Sequence, residues 1–118
     1  MTNIVDAVVI GAGFSGIYMT HQLEKNGFTV KAYERAPGVG GVWYQSRYPG
    51  ARCDSESIYY SFTFSEELYK KWTWSERYAP QEEILRHLNF VADELVIKKH
   101  FEFNTKVKQA KWDTENNS

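Results

Sequence analysis

An α/β fold that begins with a βαβ unit is predicted by three features of this 118-residue sequence. The segment from Val5 to Ile10 is almost continuously apolar, as expected for a central parallel strand covered on both faces. Ile17, Thr20 and Leu23 then recur at helical spacing. A second apolar segment, from Thr29 to Tyr33, follows the helix. A strand, a helix and a strand in this order are typical of a parallel sheet with helical crossovers.

Glycines separate the first strand from the helix, at Gly11, Gly13 and Gly16. The first glycine permits a tight turn, the second lets backbone N–H groups approach a pyrophosphate, and the third lets helix and strand pack closely. The free N–H groups and the dipole of the helix N-terminus favour an anion there. Because three glycines alone are a weak signal, the interpretation as a Rossmann-type dinucleotide site depends on the flanking strands and helix.

An acidic residue, Glu34, ends the second strand 21 positions after Gly13. This matches the spacing of about 20 residues at which a carboxylate meets an adenosine ribose. A carboxylate accepts hydrogen bonds from ribose hydroxyls and repels a 2′-phosphate, so FAD or NAD is favoured here over NADP. The alternative is a solvated glutamate at the end of a strand.

The composition limits the possible partners and compartments. The formal net charge is −1 and the pI is near 6.3, which favours neither nucleic acid nor an anionic membrane as a partner. Cys53 is the single cysteine, so no internal disulfide is possible, and no apolar run approaches the roughly 18 residues of a membrane span. His21, His87 and His100 fit no metal spacing, so no metal site is expected. We expect a cytoplasmic protein, and the sequence does not indicate its oligomeric state.

The stretch from Pro37 to Asp54 lacks a helical or strand period and predicts an ordered loop. Gly40 and Gly41 leave room for a ligand or a backbone to come close, and Pro49-Gly50 indicates a type II turn. Arg35 and Arg47 are candidates to counter phosphate charge, with a solvated surface position as the alternative.

This loop resembles the N-terminal part of the type I Baeyer–Villiger monooxygenases. The resemblance is carried by Gly40-Gly41-x-Trp43 and by Arg47-Tyr48-Pro49-Gly50-Ala51-Arg52-Cys53-Asp54-x-Glu56-Ser57. It continues through Tyr60-Ser61-Phe62, Trp72-x-Trp74, Glu76-Arg77-Tyr78-Ala79, Glu83-Ile84-Leu85 and Val91-Ala92-Asp93, and so covers nearly the whole chain.

The resemblance implies an FAD site built from many positions of this chain. Asp54 would orient a catalytic arginine supplied later in the sequence, and Val42 departs from the threonine that many members carry. The implied cofactor-binding residues are Gly11, Gly13, Phe14, Ser15, Gly16, Glu34, Arg35, Gly40, Gly41, Val42, Trp43, Arg52, Cys53, Asp54, Tyr60 and Val107.

The implied reaction uses FAD, NADPH and O2 to convert a ketone into an ester or lactone. The main NADPH site and the catalytic arginine do not occur in these residues, so we expect the chain alone to be inactive. Which ketone is oxidised stays open. Two alternatives also stay open: a non-catalytic dinucleotide-binding module, and a broader flavin-containing monooxygenase or NAD-linked oxidoreductase.

We divide the chain into a βαβ core (1–36), a flavin-side loop with an aromatic subdomain (37–80), and a helix with the start of an antiparallel β-meander (81–118). An extended piece with inward-facing rings is predicted from Tyr59 to Phe64. A helix is predicted from Pro80, with a stripe of Ile84, Leu85, Leu88, Val91, Ala92 and Leu95. Strands are expected around Phe101 to Phe103 and from Val107 to Trp112, before a polar hairpin turn.

Overall fold

A computed structural model describes residues 4–118 and confirms the predicted βαβ unit. Strand β1 (Ala7–Ile10) is followed by helix α1 (Phe14–Lys25) and strand β2 (Val30–Tyr33). The two strands are parallel, with Ala7 opposite Val30. A short strand β3 (Phe101–Glu102) adds to the other edge of β2, also in parallel, so the sheet order is β1-β2-β3.

The starts of β1 and β2 are joined by the one polar residue of the first apolar segment. Asp6 Oδ2 accepts hydrogen bonds from Thr29 N at 2.8 Å and from Thr29 Oγ1 at 2.9 Å, and Asp6 N donates to Thr29 Oγ1 at 2.8 Å. These bonds hold the pairing register of the strands at their first residues.

Strand β1 is not covered on both faces, contrary to the prediction. It lies at the edge of the described sheet, and the side chains of Val8 and Ile10 are 56% and 61% exposed. Val9 points into the core. Strand β1 therefore has the apolar sequence that is typical of a central strand, although it lies at the edge of the sheet that residues 4–118 form.

The predicted loop from Pro37 to Asp54 is mostly irregular but contains a one-turn helix, α2 (Val42–Gln45). The type II turn is confirmed, because Ala51 N donates to Tyr48 O at 3.1 Å and Gly50 has a φ of +82°.

The extended piece predicted from Tyr59 to Phe64 is wrong in its first half. Tyr59 N and Tyr60 N both donate to Glu56 O, which closes a helical turn instead. Phe62 and Phe64 do pack against the core as expected. Helix α3 (Glu66–Lys70) follows and was not predicted. Its start is fixed by Ser65, whose Oγ accepts from Leu68 N at 3.2 Å.

Helix α4 (Gln81–Glu94) confirms the predicted helix, with Pro80 one residue before it at the N-cap. Within the predicted stripe, Leu85 and Leu95 are only partly buried. The fully buried residues of the stripe share one core with Val9, Ala32 and Phe101 of the sheet; they are Ile84, Leu88, Val91 and Ala92. No helix within residues 4–118 combines the length and apolar character that crossing a membrane requires.

The antiparallel meander is not formed in the described chain. Residues 103–112 pair with no strand, and Trp112 is 63% exposed. A strand needs a partner, and within residues 4–118 no strand lies beside this segment. The polar end does turn as predicted, with Asp113 Oδ1 accepting from Glu115 N at 3.0 Å.

Candidate dinucleotide-binding site

The glycine turn has the geometry that its sequence predicts at two positions. Gly11 has a φ of +103°, a conformation that L side chains rarely adopt. A Cβ atom on Gly16 would overlap the carbonyl group of Gly11. The third glycine is therefore required for the close approach of α1 to the end of β1.

The N-terminus of α1 is left open to a ligand by the residues around it. No side chain caps the helix, and its first turn contains no acidic residue. Among residues 4–118, the N–H groups of Phe14 and Ser15 have no hydrogen-bond partner. Free N–H groups at a helix N-terminus favour a phosphate, and no nearby carboxylate on the first turn opposes it.

A second loop packs directly on the glycine turn through its own glycines. Gly40 N donates to Ala12 O at 2.8 Å, and Gly41, with a φ of +56°, would place a Cβ atom 2.9 Å from the Cα of Gly13. A Cβ atom on Gly40 would lie 2.6 Å from Leu85 Cδ1 of α4. The room that these two glycines leave is thus occupied by the backbone of the first loop and by α4.

Glu34 joins the end of β2 to the glycine turn. Its side chain is only 6% exposed, and each carboxylate oxygen accepts a backbone hydrogen bond. Oε2 accepts from Ala12 N at 2.7 Å, and Oε1 accepts from Ala36 N at 2.9 Å. Because a carboxylate has about four acceptor positions, these two bonds leave capacity for a ribose hydroxyl.

A cavity of about 430 Å³ lies beside Glu34 at the carboxyl ends of β1 and β2. This is where ligands bind in open parallel sheets. Arg35 and Lys106 give its rim two positive charges against the single negative charge of Glu34. The cavity is lined by Ile10, Gly11, Ala12, Gly13, Tyr33, Glu34, Arg35, Gly41, Val42, Gln45, Thr105, Lys106 and Val107.

The structure therefore brings together part of the predicted site, namely Gly11, Gly13, Glu34, Arg35, Gly41, Val42 and Val107. Thr105 and Lys106 were missed by the sequence reasoning. They reach the cavity because Thr105 N donates to Glu34 O at 2.9 Å, which fixes the chain beyond β3 alongside β2. The resemblance at Val107 was the one signal that pointed to this segment.

Three predicted residues form an aromatic cluster beside the glycine turn and do not line this cavity. Trp43 Nε1 donates to Tyr60 Oη at 3.0 Å, and the ring of Phe14 meets that of Tyr60 edge-on at 4.9 Å. Ser15 is exposed at the start of α1. The cluster connects the Gly40-Gly41-x-Trp43 loop to the segment after Glu56.

Arg52, Cys53 and Asp54 lie on a separate strip of chain that is bonded to residues 76–80. Arg52 Nη1 donates to Glu76 Oε1 at 3.0 Å and to Tyr78 O at 2.7 Å. Cys53 is buried, whereas Asp54 is exposed and makes no hydrogen bond within residues 4–118. None of the three lines the cavity beside Glu34.

Gln81, the first residue of α4, was also missed. It is buried, its Nε2 donates to Trp43 O at 2.5 Å, and its backbone N donates to Ala51 O at 2.9 Å. Gln81 thus holds both the loop that contains Trp43 and the segment that leads from Ala51 to Asp54, which the resemblance places near the flavin. No periodicity or spacing in the sequence indicates this contact, which spans 38 positions.

A glycine turn between strand and helix, an open helix N-terminus and a buried acid after the second strand define a Rossmann-type dinucleotide-binding domain. The chain belongs to the NAD(P)-binding Rossmann-like domain family, whose profile matches residues 9–72.

Comparisons with known proteins confirm the resemblance to the Baeyer–Villiger monooxygenases. The chain is 48% identical to the acetone monooxygenase (methyl acetate-forming) of Gordonia sp. (strain TY-5), over 98% of this chain and 22% of that protein. It is 48% identical to a Baeyer-Villiger monooxygenase of Pseudooceanicola batsensis, over 86% of this chain and 19% of that protein.

Solved structures give the same relationship. Cyclohexanone monooxygenase from Rhodococcus sp. Phi1 bound to NADP+ matches with a TM-score of 0.96 and 45% identity, over 99% of this chain and 22% of that chain. A steroid monooxygenase bound to NADP matches with a TM-score of 0.92 and 53% identity, over 94% of this chain and 21% of that chain. The chain thus spans about a fifth of the length of the relatives that it matches.

Proposed function

We propose that this chain is the FAD-binding segment of a flavin-dependent monooxygenase that uses NADPH and O2 to convert ketones into esters or lactones. The observation that carries the proposal is the cavity beside Glu34, at the end of β2 and next to the open N-terminus of α1. The similarity to the acetone and cyclohexanone monooxygenases supports the reaction class.

The residues around the glycine turn fit the adenosine diphosphate part of FAD. The free N–H groups of Phe14 and Ser15 would hold the diphosphate, with Gly13 giving the backbone access. Glu34 would accept from the ribose hydroxyls with its remaining lone pairs, while Arg35 would add positive charge nearby. Val107 would meet the adenine through its backbone. When bound, FAD supplies the redox chemistry that protein side chains lack.

The flavin half would lie toward the loops that Gln81 holds. Gly40, Gly41, Val42 and Trp43 would border it on one side and Tyr60 on another. Val42 has no hydroxyl, so it offers FAD no side-chain hydrogen bond. Gly16 would act indirectly, by keeping α1 close to β1.

Asp54 would be a positioning residue. Its carboxylate is exposed and has no hydrogen-bond partner in the described chain, in contrast to Arg52 beside it. We infer that it orients an arginine from the rest of the protein, while Arg52 and Cys53 shape the surface near the flavin. The 118 residues alone would then hold FAD without turnover, since the main NADPH site and the ketone pocket lie outside them.

The remaining features of the proposal concern partners and compartment. With a net charge of −1, the chain offers no strong field for nucleic acid or an anionic membrane. We infer a cytoplasmic enzyme that acts on a small ketone with O2.

A chimera tests the proposal. The aligned fifth of the Gordonia acetone monooxygenase is replaced by this chain, and the purified protein is assayed for flavin absorbance and for acetone-dependent NADPH oxidation. We expect bound FAD and measurable turnover. In the same chimera, Asp54→Asn is expected to keep FAD and to lower turnover at least tenfold. A chimera that folds without FAD would contradict the cofactor assignment, and an unimpaired Asp54→Asn chimera would contradict the role of Asp54.

Titration of the 118-residue chain separates the alternatives. Our proposal requires tighter binding of FAD than of NAD. Preference for NAD would instead support an NAD-linked oxidoreductase or a non-catalytic binding module.

A further inference from the structure

Two loops that the proposed function places beside the flavin meet at the first residue of α4. Gln81 is only 4% exposed, its backbone N donates to Ala51 O at 2.9 Å, and its side-chain Nε2 donates to Trp43 O. Trp43 ends the stretch 40–43, and Ala51 begins the stretch 51–54, which contains Asp54. Within residues 4–118, no other residue makes a hydrogen bond to both stretches.

The backbone bond to Ala51 belongs to a short antiparallel ladder. Arg52 pairs with Pro80, and Cys53 N donates to Ala79 O at 3.0 Å. These contacts tie residues 51–53 to the start of α4 whatever side chain stands at position 81. A change of that side chain therefore acts on the bond to Trp43 and leaves the ladder in place.

The Trp43 carbonyl depends on the Gln81 amide because α2 is only one turn long. In a longer helix the N–H of Arg47 would bond to this carbonyl, but Arg47 N donates to Gln45 O instead. The last carbonyl groups of a helix need partners outside it. Within residues 4–118, the Nε2 atom of Gln81 is the one donor to Trp43 O from outside α2.

The other end of the stretch 40–43 is held separately. Gly40 N donates to Ala12 O of the glycine turn at 2.8 Å. The next two residues, Gly41 and Val42, line the cavity proposed for adenosine diphosphate, whereas Trp43 does not. The glycine turn thus fixes the adenosine side of this stretch, and the bond from α4 fixes the side proposed for the flavin.

We propose that Gln81 is a positioning residue for the flavin half of FAD. Its side chain holds residues 40–43 to α4 and its backbone holds residues 51–54 to the same helix, so Gln81 sets how far apart the two loops stand. It acts through Trp43 and does not contact the cofactor itself. The inference rests on the proposed function, and it assigns to Gln81 an effect on the affinity for FAD that the adenosine diphosphate half does not share.

The test compares two ligands by isothermal titration calorimetry on the 118-residue chain. FAD and ADP share the adenosine diphosphate half, and only FAD carries the flavin. Gln81→Met keeps the length of the side chain and removes the donor to Trp43 O. Because the loss of a buried hydrogen bond releases only the flavin side of the loop, we expect about tenfold weaker binding of FAD and less than about a threefold change for ADP.

A matched control comes from the same helix. Asn89 Nδ2 also donates to a backbone carbonyl, that of Leu85 at 3.0 Å, and Asn89 does not line the cavity beside Glu34. Asn89→Ala is expected to bind both ligands like the unmodified chain. Gln81→Asn is the second variant if Gln81→Met does not fold. It keeps an amide but is one methylene shorter, which withdraws the donor from Trp43 O, so the same selective loss of FAD affinity is expected.

The two ligands separate this inference from the proposed function. An equal loss of FAD and ADP affinity in the Gln81 variants would show a general structural role and overturn the inference. Unchanged FAD affinity in a folded Gln81→Met or Gln81→Asn chain would also overturn it, while FAD binding by the unmodified chain would leave the proposed function standing. An unmodified chain that binds ADP and FAD equally would show that the flavin half makes no contact here, and would refute the assignment of Gln81 together with the proposed place of the flavin.

Discussion

Replacement of Glu34 by glutamine tests the structural centre of the proposed site. In the structure both carboxylate oxygens accept backbone hydrogen bonds, from Ala12 N and Ala36 N, and the side chain is buried. A glutamine in the same position keeps one acceptor oxygen and turns an NH₂ group toward the other N–H. The change is nearly isosteric, so its effect reports the hydrogen bonds and not the packing.

The magnitude follows from the bonds that are lost. A hydrogen bond to a charged group contributes about 1.5–3 kcal/mol, and a buried N–H left unpaired costs about 1–3 kcal/mol. One hydrogen bond is lost, and the other is now made to an uncharged amide oxygen in place of a carboxylate. We therefore expect Glu34→Gln to lower the free energy of unfolding by about 3 kcal/mol. Against a typical stability of about 5–15 kcal/mol, this loss is large.

The assay is urea unfolding of the 118-residue chain, followed by tryptophan fluorescence. Glu102→Gln is the control, because Glu102 is exposed and pairs with Lys31 at 3.2 Å on the surface. Its expected cost is below about 1 kcal/mol. A loss of less than about 0.5 kcal/mol for Glu34→Gln, a magnitude ordinary for surface substitutions, would refute the two backbone bonds.

Two further predictions concern packing and pH. Gly16→Ala places a Cβ atom on the Gly11 carbonyl and is expected to cost about 3 kcal/mol in urea unfolding, whereas Gly27→Ala, with a φ of +85° and open space around it, is expected to cost about 1 kcal/mol. Equal costs would contradict the close approach of α1 to β1. Because burial lowers the pKa of His87 from 6.5 to about 4, the unfolded chain takes up the proton first, and stability falls as the pH drops from about 6.5 to 4. Relative to the His87→Phe variant, we expect the unmodified chain to lose up to about 3 kcal/mol of unfolding free energy over this pH range. Parallel curves of unfolding free energy against pH for the two proteins would contradict this expectation.

The βαβ unit could be predicted because each of its signals is local. The apolar segment before Gly11, the helical spacing after it and the position of Glu34 are all read within 34 residues. The pairing of β1 with β2 adds contacts across the same short stretch, including the Asp6–Thr29 bonds. Here local preference and tertiary structure agree.

The aromatic segment could not be predicted in the same way. The alternation of Tyr60, Phe62 and Phe64 indicates a strand, but the bonds from Tyr59 and Tyr60 to Glu56 make a helical turn. The rings still reach the core because α1 and α4 provide distant surfaces for them. Alternation therefore showed which side chains pack against the core, where they are partly buried. It did not show the backbone conformation, which those distant partners determine.

The geometry of the site adds a physical point that the motifs alone do not contain. The Glu34 carboxylate accepts a hydrogen bond from Ala12 N in the glycine turn, and Gly40 N donates to the carbonyl oxygen of Ala12. Gln81 Nε2 donates to Trp43 O and so holds the loop that contains Trp43. Each of these bonds joins two groups of the chain itself. A cofactor proposed for this site would meet loops that the chain's own hydrogen bonds hold, which lowers the ordering cost of binding. The residues that we propose to recognise a dinucleotide are, in this segment, largely the same as those that stabilise the fold.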